Sequence, residues 1–260
     1  MIGLLKCGAS GMEAQQLLVD SLANDIANIN THGYKKGKVK FSELLYQPVT
    51  EEGMPVDKPQ QPEGVPGLGS GVRVETTTKD FSQGTLIKTS EPLNLVIEGN
   101  GFFGVYGPDN ELYLTRDGNF HCDKDGNIVN SSGYRLDTTV FLPQGVQNIS
   151  INTDGTVTGE IDGEVENLGQ LNLYTVPNTK GLEAVGNNLY RETPASGMAE
   201  MRWPGEKGVG SLRSGYLEGS NVELASTMTK MIVAQRAYEV NARSIKIADE
   251  MWGIANNIRR

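Results

Sequence analysis

Apolar residues recur three and four positions apart at both ends of the chain. Near the start, Leu5, Gly8, Met12, Gln15, Val19, Leu22, Ile26 and Ile29 form such a row, and six of the eight are apolar. Near the end, Leu224, Met228, Met231, Tyr238, Ala242, Ile245 and Trp252 form another, with Gln235 and Asp249 as its polar members. Each row predicts an amphipathic helix with a coiled-coil seam. The first should run over residues 4–30 and stop at Asn30-Thr-His-Gly33, where Gly33 suits a left-handed backbone. The second should begin behind a Ser220/Glu223 capping box and run to the end, roughly 50 Å at 1.5 Å per residue. A helix that long cannot bury its own seam. The two ends are expected to pack on each other and on copies from other chains.

Between the ends the pattern changes. Residues 34–71 carry Pro48, Pro55, Pro59, Pro62 and Pro66 among glycines, which reads as an extended arm too long for an ordinary loop. Residues 72–219 alternate in short runs: Val72-Arg-Val-Glu, Asn94-Leu-Val-Ile-Glu and Phe102-Phe-Gly-Val-Tyr. Asn100-Gly101, Asp117-Gly118, Asp125-Gly126, Asp154-Gly155 and Asp162-Gly163 supply hairpin turn signals. Residues 177–210 read as looser, with one short strand at Leu189–Glu192. The expected fold is α+β. It has a helix at 1–33, an arm at 34–71, a mainly-β domain at 72–219 and a helix at 220–260.

The chain has 260 residues, a net charge of −9 and two cysteines. That charge argues against a nucleic-acid surface. Lys35-Lys-Gly-Lys-Val-Lys40 is the most basic run and reads as a solvated face or a lip near a partner. Cys7 and Cys122 lie in unlike segments, so free, buried thiols are expected. No apolar stretch approaches a membrane span, and the first residues lack the apolar region of a cleaved signal. His121-Cys122 lacks a zinc-ligand spacing. Asp123-Lys-Asp125-Gly126-Asn127 has its glycine fourth rather than sixth, which suits an Asp-Gly turn better than a calcium loop. Gly99-Asn-Gly101-Phe-Phe-Gly104 opens a strand and predicts no phosphate cradle. No catalytic constellation, cofactor motif or metal site is found. An enzyme or adhesin with a β-domain and a module that dimerises through its helices are the rival readings.

Leu22-Ala-Asn-Asp-Ile-Ala-Asn-Ile-Asn-Thr-His-Gly-Tyr-Lys35 closely resembles the N-terminal signature of bacterial flagellar rod and hook proteins. Ser220-Asn-Val222, Met231-Ile-Val-Ala-Gln-Arg-Ala-Tyr-Glu-Val-Asn241 and Asp249-Glu-Met251 resemble its C-terminal signature. Ser82-Gln-Gly-Thr-Leu86, Gly99-Asn-Gly-Phe-Phe103, Thr115-Arg-Asp-Gly-Asn-Phe120, Gly181-Leu-Glu-Ala-Val-Gly186 and Asn188-Leu-Tyr190 look like internal family blocks. The length and the Gly67-Leu-Gly-Ser-Gly-Val72 stretch most resemble a distal rod component, with another axial component, a proximal rod or hook-like protein, as the alternative. The resemblance implies a structural subunit, exported without a cleaved signal by the flagellar type III apparatus. It implies helical stacking of many copies into a hollow shaft that carries torque. Its partners would be other rod proteins, hook protein and the surrounding bushing rings. The core would be formed by Leu5, Met12, Val19, Leu22, Ile26, Ile29, Leu224, Met228, Met231, Gln235, Tyr238, Ile245 and Trp252.

Overall fold

The spacing at the two ends folds as two helices, α1 (Ile2–Ala27) and α2 (Leu224–Ile258). The computed structural model describes residues 2–48, 67–143, 145–161 and 163–258. The described chain between the helices is mainly β, so the fold is α+β. The described residues fall into two compact units. One is drawn from residues 1–27, 37–78 and 223–260, and the other from 28–36 and 79–222. The chain therefore enters and leaves each unit more than once.

In the helical unit, α1 and α2 run antiparallel: Gly8 lies against Ile245, and Gly11 lies against Asn241. α1 stops at Ala27, before Ile29, and the Thr31 N–H then donates to the Asn28 carbonyl at 3.1 Å. α2 begins without the expected capping box. The Ser220 hydroxyl accepts from the Val222 N–H at 3.2 Å, and the Glu223 carbonyl opens the helix by accepting from the Thr227 N–H at 3.0 Å. A strand at Gly37–Glu43 pairs with one at Val72–Lys79. Gln47–Pro48 continues this ribbon against Gly67–Leu68, so both described ends of the expected arm are strands. The proline-rich residues 49–66 lie outside the described residues. Ser10 fastens α1 to the ribbon: its hydroxyl accepts from the Val72 N–H at 3.3 Å and donates to the Cys7 carbonyl at 3.1 Å.

The β unit is built on a seven-stranded antiparallel sheet. Its strands, in order across the sheet, are Glu183–Gly186, Leu189–Arg191, Leu112–Thr115, Phe103–Tyr106, Arg135–Leu136, Ile128–Asn130 and Phe120–Cys122. Short strands in this unit present inward side chains to one core, including Leu95, Ile97, Phe103, Val105, Phe120, Ile128, Val157 and Leu173. Burying each such side chain contributes roughly 1.5–3 kcal/mol, which offsets the ordering cost of strands too short to stand alone. The region 177–210 is more ordered than its composition implies. It supplies two strands of the large sheet, and Glu200–Arg202 pairs with Leu173–Thr175.

Two local expectations change. Asp125-Gly126 and Asp154-Gly155 do turn, with Gly126 and Gly155 at φ +81° and +83°. Gly118 instead lies where a Cβ would collide with the Leu95 carbonyl, and its own carbonyl accepts from the Leu95 N–H at 2.9 Å. It permits a close backbone approach rather than a hairpin. Neither thiol is a buried core residue: Cys122 is exposed, and half-buried Cys7 donates to the Gly69 carbonyl at 3.2 Å.

Candidate assembly surface

Each face of the helix pair follows from its side-chain sizes. On α2 the buried residues are Thr227, Ala234 and Ala248, with Met231, Asn241 and Ile245 half-buried between them. This row has heptad spacing, but at alternate positions it lies one residue before the predicted row. Met231 and Ile245 belong to both rows, and Tyr238, midway between them, is exposed. Gln235 and Asp249 point away from α1 and are exposed. The reason is steric. A Cβ on Gly8 would sit 2.8 Å from Ile245 Cγ1, and one on Gly11 would sit 2.7 Å from Asn241 Nδ2. The helices approach through glycine and alanine, residues that a periodicity of large apolar side chains does not register.

The residues expected at an assembly core therefore separate. Leu22 is buried, and Leu5, Met12, Val19, Ile26, Met231 and Ile245 are half-buried. Ile29 is half-buried beyond the end of α1. Leu224, Met228, Gln235, Tyr238 and Trp252 are exposed. A polar group is also sealed into the helical unit: Asp25 is buried and accepts from the Gly37 N–H at 3.0 Å.

The β unit contains a second arrangement that sequence reasoning missed. Lys35 was expected on a solvated face, but it is completely buried. Its ammonium lies 2.6 Å from Glu218 Oε1 and donates to the Ser82 carbonyl at 2.8 Å. Glu218 Oε1 also accepts from the Gly84 N–H at 2.9 Å. Arg116 Nη1 stands 3.6 Å from Glu218 Oε2, and its Nη2 donates to the Gly99 carbonyl at 2.8 Å. Burial pushes the Lys35 ammonium below the usual lysine range, and Glu218 opposes that shift. Phe81, Phe102 and Tyr190 stack edge-on beside this cluster, with Arg116 over the Phe102 ring at 5.3 Å. Asn221 adds further ties, accepting from the Lys36 N–H at 2.8 Å and donating to the Asp80 carbonyl at 2.7 Å.

The cluster brings together residues from separate stretches of the sequence. Lys35 closes the first signature, Ser82 and Gly84 open the second, Arg116 belongs to the Thr-Arg-Asp-Gly block, and Glu218 precedes Ser220-Asn-Val222. Lys35 follows α1 by a few residues, and Glu218 precedes α2 by a few. The ion pair thus ties together the two chain segments that join the β unit to the helices. Lys35 and Arg116, charged residues inside two of these blocks, were the available signal.

Terminal helices flank a β unit in this sequence, and three of its segments match patterns of the axial proteins of the flagellum. Residues 5–35 match the flagella basal body rod protein pattern, residues 96–159 the flagellar hook protein FlgE/F/G D1 domain, and residues 213–258 the flagellar basal body rod FlgEFG protein C-terminal pattern. The flagellar basal-body rod protein FlgG of Borreliella burgdorferi is 41% identical over 265 residues, covering 100% of both chains. That of Caulobacter vibrioides is 40% identical, with 98% of each chain covered. That of Bacillus subtilis is 35% identical over 100% of each chain. The chain belongs to the FlgG family of flagellar basal-body rod proteins.

Proposed function

We propose that this chain, a structural subunit of the distal rod of the flagellar basal body, polymerises with many copies of itself into a hollow helical shaft. The terminal helices would form the inner layer around the export channel, with the β units outside. Its partners would be neighbouring rod proteins, hook protein, the bushing rings and the type III export apparatus, which would pass it without a cleaved signal. The observation that carries this reading is the apolar surface left on α2 after it has packed on α1: Leu224, Met228, Ile232, Val233, Val240, Ile247 and Trp252 are all exposed. A stable monomer rarely leaves so much aliphatic surface wet on one helix. Residues 47–71 would lock onto neighbours. Before assembly the helix pair would be the less stable of the two units, and limited proteolysis would then trim both ends before the β unit is cut.

Sedimentation tests the reading. The purified chain should be monomeric when dilute and should extend open-endedly from rod fragments as its concentration rises. A closed dimer of fixed mass, unresponsive to seeds, would overturn the polymer and favour a helix-mediated dimer.

A further inference from the structure

α2 carries a second heptad row. Val233, Val240, Ile247 and Ile254 recur every seven residues and are 64%, 61%, 48% and 61% exposed. Each of the first three stands one position before a residue that faces α1 (Ala234, Asn241 and Ala248), so this row lies about 100° around the helix from the occupied seam. Ala237, Ser244 and Met251 fill its alternate positions. Small and β-branched residues at such spacing form a coiled-coil seam, and here α1 does not cover it. Arg236 and Arg243 border the row on the side away from α1, seven residues apart, and Arg236 is 76% exposed.

The other half of the match lies on α1. Between its outer face and the ribbon is a cleft of about 590 Å³, floored by Ala14, Leu17, Leu44 and Val72. Glu13 and Asp20 line it, also seven residues apart, and they outnumber its single cation, Arg73. Two turns of helix separate the carboxylates on α1 and likewise the guanidiniums on α2, about 10.5 Å in each case. The own-chain α2 packs on the face of α1 that carries Gly8 and Gly11, so it does not supply this occupant.

We propose that the acidic cleft of one copy receives the Val233–Ile254 row of α2 from a second copy, with Glu13 and Asp20 set against Arg236 and Arg243. The donor and acceptor surfaces lie on different faces of the same subunit. Such a heterologous contact repeats from copy to copy and closes no dimer, which is the geometry an open polymer needs. Arg236 would exchange its exposed pair with Glu239, at 2.8 Å, for the neighbour's carboxylates at small cost. The inference rests on the homopolymer reading and names its contact.

Reciprocal charge reversal tests it on the full chain, with seeded elongation measured by sedimentation. Glu13→Arg/Asp20→Arg and Arg236→Glu/Arg243→Glu should each raise the critical concentration roughly tenfold or more, through lost attraction and new repulsion. The quadruple variant should return most of the way to wild type. Far-UV circular dichroism should be unchanged throughout, because all four positions lie on the surface. As a second measurement, Leu17→Cys copies should cross-link to Val240→Cys copies through a short bismaleimide, in a chain whose two native cysteines are serine. Wild-type elongation by either double variant, a quadruple variant that stays defective with intact helices, or no cross-link would overturn this contact and leave the polymer standing. A wild-type chain that never extends seeds would overturn both.

Discussion

Glu218→Gln isolates what the buried ion cluster contributes. The substitution keeps the shape of the side chain and removes its charge. It leaves the buried Lys35 ammonium and Arg116 guanidinium without the carboxylate that lies 2.6 Å from one and 3.6 Å from the other. Lys35 and Glu218 are 0% and 1% exposed, so water cannot replace the lost partner. Breaking such a pair on one side costs about 3–5 kcal/mol. Burial already lowers the proton affinity of Lys35, and losing Glu218 removes what opposes that shift. For a chain of this size 3–5 kcal/mol corresponds to a fall in midpoint of about 10 °C. Trp203 lies in the β unit and reports its unfolding, provided that Trp252 is first replaced by Phe. Lys35→Met/Glu218→Gln should recover at least ~1 kcal/mol relative to Glu218→Gln, since one stranded cation is gone. If Glu218→Gln melts within ~1 kcal/mol of the parent, or the double variant is the worse of the two, the cluster does not hold the unit together as argued.

Other outcomes follow from the same geometry. Gly8→Leu should cost about 1–3 kcal/mol of helix-pair stability, read from the 222 nm melt, because even a Cβ there meets Ile245; Gly8→Ala should cost much less, since it gains helix propensity. Leu22→Asp should destabilise the helix pair by at least ~3 kcal/mol and abolish rod assembly while the Trp203 melt stays unchanged, and Met231→Asp should act in the same sense; normal rods from either would refute this. Burial holds the Lys35 ammonium below the ordinary lysine value of 10.5 in the folded chain, so between that lowered value and 10.5 the unfolded chain binds more protons and stability rises with pH. That rise should be missing in Lys35→Met when the two are compared by denaturant unfolding.

The sequence by itself determined that both ends are helical and that the middle is mainly β. Those properties are local: three-and-four spacing, short apolar runs and most of the turn signals act over a few residues. It also carried the family blocks, whose charged members mark the buried cluster. Tertiary structure decided which stripe of α2 meets α1. Glycine and alanine permit the closest approach, so Ala234 and Ala248 are buried while the larger Met228 and Trp252 stay outside. Tertiary structure also decided that Lys35 lies inside, because only the fold brings a carboxylate 183 residues away into contact with it. Asp117-Gly118 reads as a turn until Leu95 is packed on it. In each case the deciding atom belongs to a residue far along the chain, and no local pattern can report it.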